Sequence, residues 1–586
     1  MKKLLLSCIV LIGGSLCVSA QSNARMNLGS PESFLNSIRN QHSRSTSTLE
    51  LQLNNSEVVS IALDNYFDKS TGFSANGVAL ESPNSLFILK GDASSLYGYV
   101  AFHDTQKAYE ITTTNGVVSI QEADIAKFFP DIYEPEMKAP TYQTLAPMVN
   151  LPVYSTMANR QVIHIGPYKN EDVTKLQSKP GSPYVFYLNH TAVMNGTTPL
   201  NGRGKEEMYR VWQSTADQYS MLNLNITTDV SVYNAAKSAD VLKTGVIKFV
   251  NEDGRSNAPI ASFGTTSAGT LYRNPLGSGN DYGYGIGMTC AHEVGHQMGM
   301  NHDGGDQQSD PEYFEGLPAV QWCPIMGNYW FGANWANQLF TWSKGEYNTA
   351  TNKEDDFSIM TTKEKVPYMT DDNVSGKKLQ FDATGVISPD KNWGQIEKNT
   401  DTDAFTFEIG PSGGKITLKI DPLEYLRQLD VAAKIVDSKG TVVASSNLAV
   451  KRWAEFKDLS LSEGKYQLTI EGGAELTPQT GFSKYSSLGY YGMEGTITGA
   501  IITGMEKVAF ENTIAVFPNP AADVLNISYG FNNPSTQVSI VTMTGQTVYE
   551  SNQMVQSIDL SGFAKGVYFL RIISNGESCV KKISKL

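Results

Sequence analysis

Three of the seven histidines of this 586-residue chain fall in the run His292-Glu293-Val294-Gly295-His296-Gln297-Met298-Gly299-Met300-Asn301-His302. On a helix, residues i and i+4 share a face, so the imidazoles of His292 and His296 converge. Neutral imidazole suits zinc, at Zn–N distances of about 2.0–2.1 Å. Gly299 lacks a Cβ and can take a positive φ, which ends the helix and turns the chain. That turn lets His302 approach as a third ligand. Three protein ligands leave one position for water, the catalytic rather than the closed structural arrangement. Glu293 follows the first ligand and need not coordinate. It can reach the bound water, accept its proton during attack and pass it to a leaving amine, while zinc polarises the carbonyl. With 7 His, 51 Gly and 59 Asp+Glu in the chain, about 10⁻⁵ such matches are expected by chance.

The elements around this run must hold it in place. From about 161 to 370 the pattern is α/β. Tyr184 to Leu188, Leu224 to Thr228 and Val246 to Val250 read as strands. Met208, Val211, Trp212, Thr215, Tyr219 and Leu222 recur at three- or four-residue intervals, as on one helix face. Gly264 to Leu271 reads as a loop leading into an exposed edge. Residues 21 to about 160 contain short alternating segments (Val58 to Leu63, Ser85 to Leu89, Tyr97 to Phe102), followed by a looser tract with Pro130, Pro135, Pro140, Pro147 and Pro152. Ahead of an enzyme domain in an exported chain, this stretch is expected to be a propeptide that ends near Arg160. No Cys lies between 21 and 289, so a thiolate cannot hold latency there. A carboxylate such as Asp131 or Glu134 could take that role.

Composition sets the outer bounds. The length suggests roughly four domains. Hydrophobic residues make up 40% and charged residues 18% of the chain, which excludes wholesale disorder. A net charge of −13 argues against nucleic-acid binding through phosphates. The start, with Lys2-Lys3, a short apolar run and Val18-Ser19-Ala20, reads as a signal peptide over 1–20. The apolar run is too short to span a bilayer, and no later segment is long and apolar enough to do so.

The histidine run has the form HExxHxxGxxH and is followed by Cys323-Pro324-Ile325-Met326-Gly327. Together these resemble the metzincin zinc proteases, whose signature ends in a Met-turn. The resemblance implies that Met326 packs beneath the three imidazoles without binding the metal. Asp303, directly after the third His, is similar to the reprolysin (adamalysin) group and would tie the zinc loop to the Met-turn. Asn328 stands where astacins and serralysins carry a Tyr. Cys290 and Cys323 lie close in sequence to the metal ligands and the Met-turn, and a disulfide between them is expected in an oxidising compartment.

Downstream, strands at regular spacing (Ile416 to Ile420, Val431 to Val436, Thr441 to Ala444, Tyr466 to Ile470) read as a β-sandwich. Residues 385–500 resemble the bacterial prepeptidase C-terminal domain, through Asp401-Thr402-Asp403-Ala404-Phe405 and Tyr485 to Tyr491 among other segments. Asp401 and Asp403 could ligate Ca²⁺. Residues 512–586 resemble the C-terminal sorting domain of the type IX secretion system, through Val516-Phe517-Pro518-Asn519-Pro520 and Gly566-Val567-Tyr568-Phe569-Leu570-Arg571. The resemblance implies passage through the periplasm to the cell surface or medium, with the type IX machinery as partner.

The expected protein is therefore multidomain. A β-rich propeptide (21–160) precedes an α/β metzincin catalytic domain (161–384) with a mixed twisted sheet and a zinc-binding helix. Two C-terminal β-sandwiches follow. The expected activity is zinc-dependent endopeptidase hydrolysis of extracellular proteins or peptides. The alternative is a surface adhesin or carbohydrate-binding protein with a vestigial protease domain; the intact Glu293 speaks against it.

Overall fold

The computed structural model describes residues 25–133, 168, 170–195, 198–199, 205–252, 254–272, 284–305, 311–327, 338–373, 376–423, 427–501, 514–529, 533, 535–574 and 577–586. The expected signal peptide, Glu134, Asn328, Arg160 and the proline tract beyond Pro130 lie outside these residues. Residues 1–407 with 411–498 form one compact unit, and 408–410 with 499–586 a second.

The first unit opens with an eight-stranded antiparallel sheet. Its spatial order is 26–29, 117–123, 107–114, 96–102, 82–91, 72–79, 58–69 and 48–52. Alternation decides which side chains face inward: Leu49 and Leu51 are buried, while Glu50 and Gln52 are exposed. The helix Pro31–His42 covers the sheet with Leu35 and Ile38. Its start is capped by Ser30, which accepts from the Ser33 N–H, and Pro31 sits in the first turn.

Next comes a four-stranded sheet in the order Leu224–Thr227, Tyr184–Asn189, Thr244–Phe249, Gly269–Leu271, with all neighbours parallel. A mixed sheet was expected. Among the described residues the antiparallel component is two isolated bridges, Gln177 to Thr227 at one edge and Asn257 to Thr270 at the other. The Asn257–Thr270 bridge also corrects the reading of Gly264 to Leu271 as an exposed edge. The strand is paired on both sides, and Leu271 is fully buried.

The helix Lys205–Gln218 packs against the helix Tyr284–Met298. Tyr219, just past the end of the first helix, donates its hydroxyl to the Ala291 carbonyl at 2.8 Å. The expected apolar stripe understates this helix. Gln213, Ser214, Thr215, Asp217 and Gln218 are buried as well, because it lies between the sheet and its neighbours rather than at the surface.

The β-sandwich pairs two five-stranded sheets. Its first strand, Lys377–Lys378, runs parallel to Asp403–Ile409, so pairing begins before residue 385. The sandwich is joined to the α/β part by buried polar contacts. Gln395 donates to the Ser220 carbonyl and Gln428 to the Asp217 carbonyl, each at 2.8 Å. Arg452, fully buried, donates to the Val320 carbonyl at 2.5 Å and to the Gln321 carbonyl at 3.3 Å. These carbonyls lie one and two residues before the strand Trp322–Pro324 that leads to Met326.

The second unit holds a three-stranded sheet (514–517, 524–529, 557–559) and a four-stranded sheet (547–551, 537–542, 566–574, 577–585). Leu525, Ile540, Leu570 and Ile572 are buried between them. No helix of the described residues is long and apolar enough to cross a membrane.

Candidate metal centre

The helix Tyr284–Met298 presents His292 and His296 together, with ring centroids 4.7 Å apart. Gly299 has φ +97° and donates its N–H to the His296 carbonyl, while Met300 N–H reaches the Gly295 carbonyl at 3.1 Å. This left-handed residue ends the helix as the sequence indicates. The chain turns back and brings the His302 ring to 4.8 Å from His296 and 5.2 Å from His292.

Two of the imidazoles are oriented by backbone. His292 Nδ1 lies 2.9 Å from the Ile325 carbonyl, and His296 Nδ1 lies 2.8 Å from the Met300 carbonyl. A carbonyl only accepts, so each Nδ1 carries the proton and each Nε2 turns a lone pair inward. His296 Nε2 and His302 Nε2 are 3.1 Å apart.

Asp131 closes the fourth side. Its Oδ2 lies 3.1 Å from His296 Nε2 and its Oδ1 3.3 Å from His302 Nε2. Tyr313 donates its hydroxyl to Oδ1 at 3.1 Å and packs its ring, tilted, with its centroid 4.1 Å from that of His302, whereas Oδ2 accepts no hydrogen bond. One donor atom from each of Asp131, His292, His296 and His302 lies within 4.8 Å of the others, and all four residues are buried. Lone pairs so close in a dry site repel one another unless a cation lies between them. The donor set therefore fits a metal ion. Burial pushes His292 down to about 3, with His296 adding to the effect. Burial opposes the charge on Asp131, yet His296 and His302 hold it well below the usual carboxylate range.

Glu293 is 1% exposed, and its Oε2 accepts no hydrogen bond. Burial and the nearby Asp131 push its carboxyl well above the ordinary range, with Arg255 opposing. Met326 is fully buried directly against the helix: a Cβ on Gly295 would meet its Sδ at 2.5 Å. Asp303 joins the two loops through backbone. Its N–H donates to the Met326 carbonyl at 2.7 Å, and its carbonyl accepts from Phe314 at 2.7 Å. Its carboxyl is buried and pushed up to about 7 by burial, with Glu354 adding to the effect.

The expected Cys290–Cys323 disulfide is not formed; Cys290, Cys323 and Cys579 are buried thiols. The two thiols sit in different packing environments. Cys290 faces Thr215 of the neighbouring helix, and burial pushes it up to about 12. Cys323 turns its Sγ to the Phe314 and Pro324 carbonyls, at 3.8 and 3.5 Å. Tyr313 and the carbonyls of Ile325 and Met300 carried no signal in the sequence; their roles follow from loop geometry.

Asp131 reaches the centre because the N-terminal sheet docks on the segment 260–266. Ser74 donates to the Gly264 carbonyl at 2.6 Å, and Tyr99 to the Ile260 carbonyl at 3.2 Å. Ile260 N–H donates to Phe128 O at 3.1 Å. Lys90 bonds both oxygens of Glu364 at 2.9 Å and the Phe263 carbonyl at 2.8 Å. Pro130–Tyr133, a helical turn, follows directly from Phe128 and Phe129 and carries Asp131 inward.

Residues 515–585 match the family described as Secretion system C-terminal sorting domain. The chain is thus a secreted or cell-surface protein that engages the type IX secretion machinery. No curated protein matches it. Among solved structures, a beta-glucuronidase of an uncultured Clostridium sp. matches at 13% identity and TM-score 0.14, covering 38% of this chain. This chain spans 39% of the length of that protein. Metalloproteinase-II from Bacteroides fragilis matches at 14% identity and TM-score 0.15, covering 45% of this chain and 84% of that one. At these scores neither likeness bears on fold or activity.

Proposed function

We propose that the chain is a secreted zinc endopeptidase of metzincin type, made as a zymogen that Asp131 keeps shut. The observation that carries this reading is the inward convergence of His292, His296 and His302 on one point, with Nδ1 of the first two committed to backbone carbonyls. Zinc held there would supply Lewis acidity toward a scissile carbonyl and acidify an attacking water. Glu293, on the same helix and buried beside the cluster, is the general base and returns the proton to the leaving amine. Met326 fixes the floor under the helix. The backbone tie from Asp303 to Met326 keeps the third histidine in register with that floor.

In the latent form, Asp131 occupies the side of the cluster that a substrate carbonyl would need. Residues 25–133 then act as a propeptide held by the Lys90–Glu364 pair and the contacts to 260–266. Removal of that segment opens the site. The test is peptide cleavage by the processed protein beside a Glu293→Gln control of unchanged metal content. Equal cleavage by the control would show that another group does the proton transfer.

A further inference from the structure

The floor of the metal centre is a ribbon of two short strands. Trp322–Pro324 runs parallel to Leu339–Thr341, and Ile325 N–H donates to the Thr341 carbonyl at 2.9 Å. The ribbon leads into the two groups on which the helix depends: the Ile325 carbonyl, 2.9 Å from His292 Nδ1, and Met326, packed against Gly295. An isolated two-stranded ribbon is marginal at best in water. The β-sandwich supports both strands. Arg452 donates to the Val320 and Gln321 carbonyls at the head of the first, and the Arg427 carbonyl accepts from Phe340 N–H of the second at 3.3 Å. Phe482 packs with Trp322 and Leu339 in one buried apolar cluster, its ring 5.5 Å from the Arg452 guanidinium.

The third histidine is held by a parallel route. Asn352 Nδ2 donates to the His302 carbonyl at 3.0 Å, and the Glu354 carboxylate accepts from the Asn301 N–H at 2.9 Å and from its Nδ2 at 2.7 Å. Tyr347 donates its hydroxyl to the Gly304 carbonyl at 2.8 Å. The segment 347–354 thus grips the backbone on both sides of His302. That segment is seated on the sandwich loop between the strands Gly464–Gly472 and Gly489–Thr498. Asn348 N–H donates to the Gln479 carbonyl at 3.1 Å. The Tyr485 hydroxyl donates to Asp355 Oδ1 at 2.7 Å and accepts from Phe357 N–H at 3.0 Å. Phe482 belongs to the same loop, so one connection of the sandwich braces the floor ribbon and the His302 segment together.

We propose that the β-sandwich is a working part of the metal centre, with Arg452 and Tyr485 as its positioning residues. Both act through backbone. Arg452 sets the floor ribbon, and with it the Ile325 carbonyl that orients His292. Tyr485 sets the segment that grips His302. Arginine suits the first task because its planar guanidinium presents donors on several sides at once. It faces Asp430 and Glu475 at 3.6 and 3.5 Å while it serves the two carbonyls. A lysine ammonium is a point charge and does not hold that plane. The sandwich is then no removable accessory: the metal ligands lose their register without it. This inference rests on the reading of the three histidines as a zinc site and deepens it.

The test uses the full secreted chain with Tyr485→Phe, with Arg452→Lys and, as a control, with Lys179→Met. The control removes another contact between the sandwich and the α/β part, the 2.6 Å bond from Lys179 to the Tyr490 hydroxyl, which leads to neither support. The readouts are the rate of zinc release to excess chelator, the visible spectrum of the cobalt-substituted protein, the melting temperature, and kcat and KM for peptide cleavage. Loss of the groups that orient metal ligands typically costs about 10- to 100-fold in metal affinity or activity. Tyr485→Phe and Arg452→Lys should each release zinc about tenfold faster and lower kcat about tenfold with KM little changed, and the cobalt spectrum should shift. Lys179→Met should melt earlier yet release zinc at the parent rate. If Arg452→Lys does not fold, Tyr485→Phe, which loses only a hydroxyl, decides alone. Parent-like zinc release and cobalt spectrum in Tyr485→Phe overturn the inference and leave the peptidase reading intact. Equal acceleration in Lys179→Met assigns the effect to general stability and also overturns it. A parent that holds zinc but cleaves nothing refutes the peptidase reading alone, because zinc release and the cobalt spectrum still decide the support. A parent that holds no zinc overturns both.

Discussion

Replacing Asp131 by Asn keeps the shape of the side chain and removes its charge. The carboxylate faces His296 Nε2 at 3.1 Å and His302 Nε2 at 3.3 Å, and accepts from Tyr313; under the proposed reading this contact keeps the protein latent. A hydrogen bond or contact involving a charged group contributes about 1.5–3 kcal/mol. Losing that much shifts the closed-to-open balance by about 10- to 150-fold, at about 1.4 kcal/mol per factor of ten. The N-terminal sheet remains docked through Lys90, Ser74, Tyr99 and Phe128. The Asp131→Asn zymogen should therefore leak without becoming fully active. The assay is the initial rate of cleavage of a quenched peptide mixture by the unprocessed chain, with processing followed on gels so that only the intact form is counted. A rise of about 10- to 150-fold over the wild-type zymogen is expected, still below the processed enzyme. If the Asn variant is as silent as wild type while the processed enzyme cleaves, Asp131 does not gate the site and the latency argument fails.

Other perturbations probe the supports. Lys90→Met strands the buried Glu364 carboxylate, a change that typically costs about 3–5 kcal/mol. It should speed activation and raise hydrogen exchange at 260–266, and adding Glu364→Leu should restore much of the loss. Gly295→Ala drives a Cβ into Met326 Sδ and should lower stability by about 1–3 kcal/mol, read as a lower melting temperature with weakened metal retention. Deleting 512–586 should trap the protein in the periplasm of its host; normal appearance in the medium or on the surface would refute the sorting role.

Local features were legible in the sequence. The i, i+4 pair His292 and His296 and the stop at Gly299 fix a helix end by nearest-neighbour geometry, and the structure places both as expected. Alternating segments such as Val431 to Val436 likewise became strands, because a half-buried strand writes its faces into the sequence. The sorting domain was legible from its motifs, and the family match covers it. Contacts that depend on docking were not legible to the same degree. Asp131 was named only as an example of a carboxylate that could reach the metal, and its place beside the histidines depends on the seating of the N-terminal sheet on 260–266. Arg452 reaches the Val320 carbonyl from 132 residues further along the chain, and no local pattern encodes that pairing. The disulfide expectation failed for the same reason: nearness in sequence to the histidines does not fix which way a buried Cys side chain points.

The central claim is that three histidines hold one zinc ion with which Glu293 cleaves peptide bonds. The most direct measurement combines metal analysis and peptide cleavage on the processed protein, its Glu293→Gln variant and its His296→Ala/His302→Ala variant. The account predicts one zinc per chain in the first two, none in the third, and cleavage only in the first, with Glu293→Gln reduced by about 10²–10⁴-fold or more. Full zinc retention by the double histidine variant, or cleavage by Glu293→Gln at the parent rate, would contradict it.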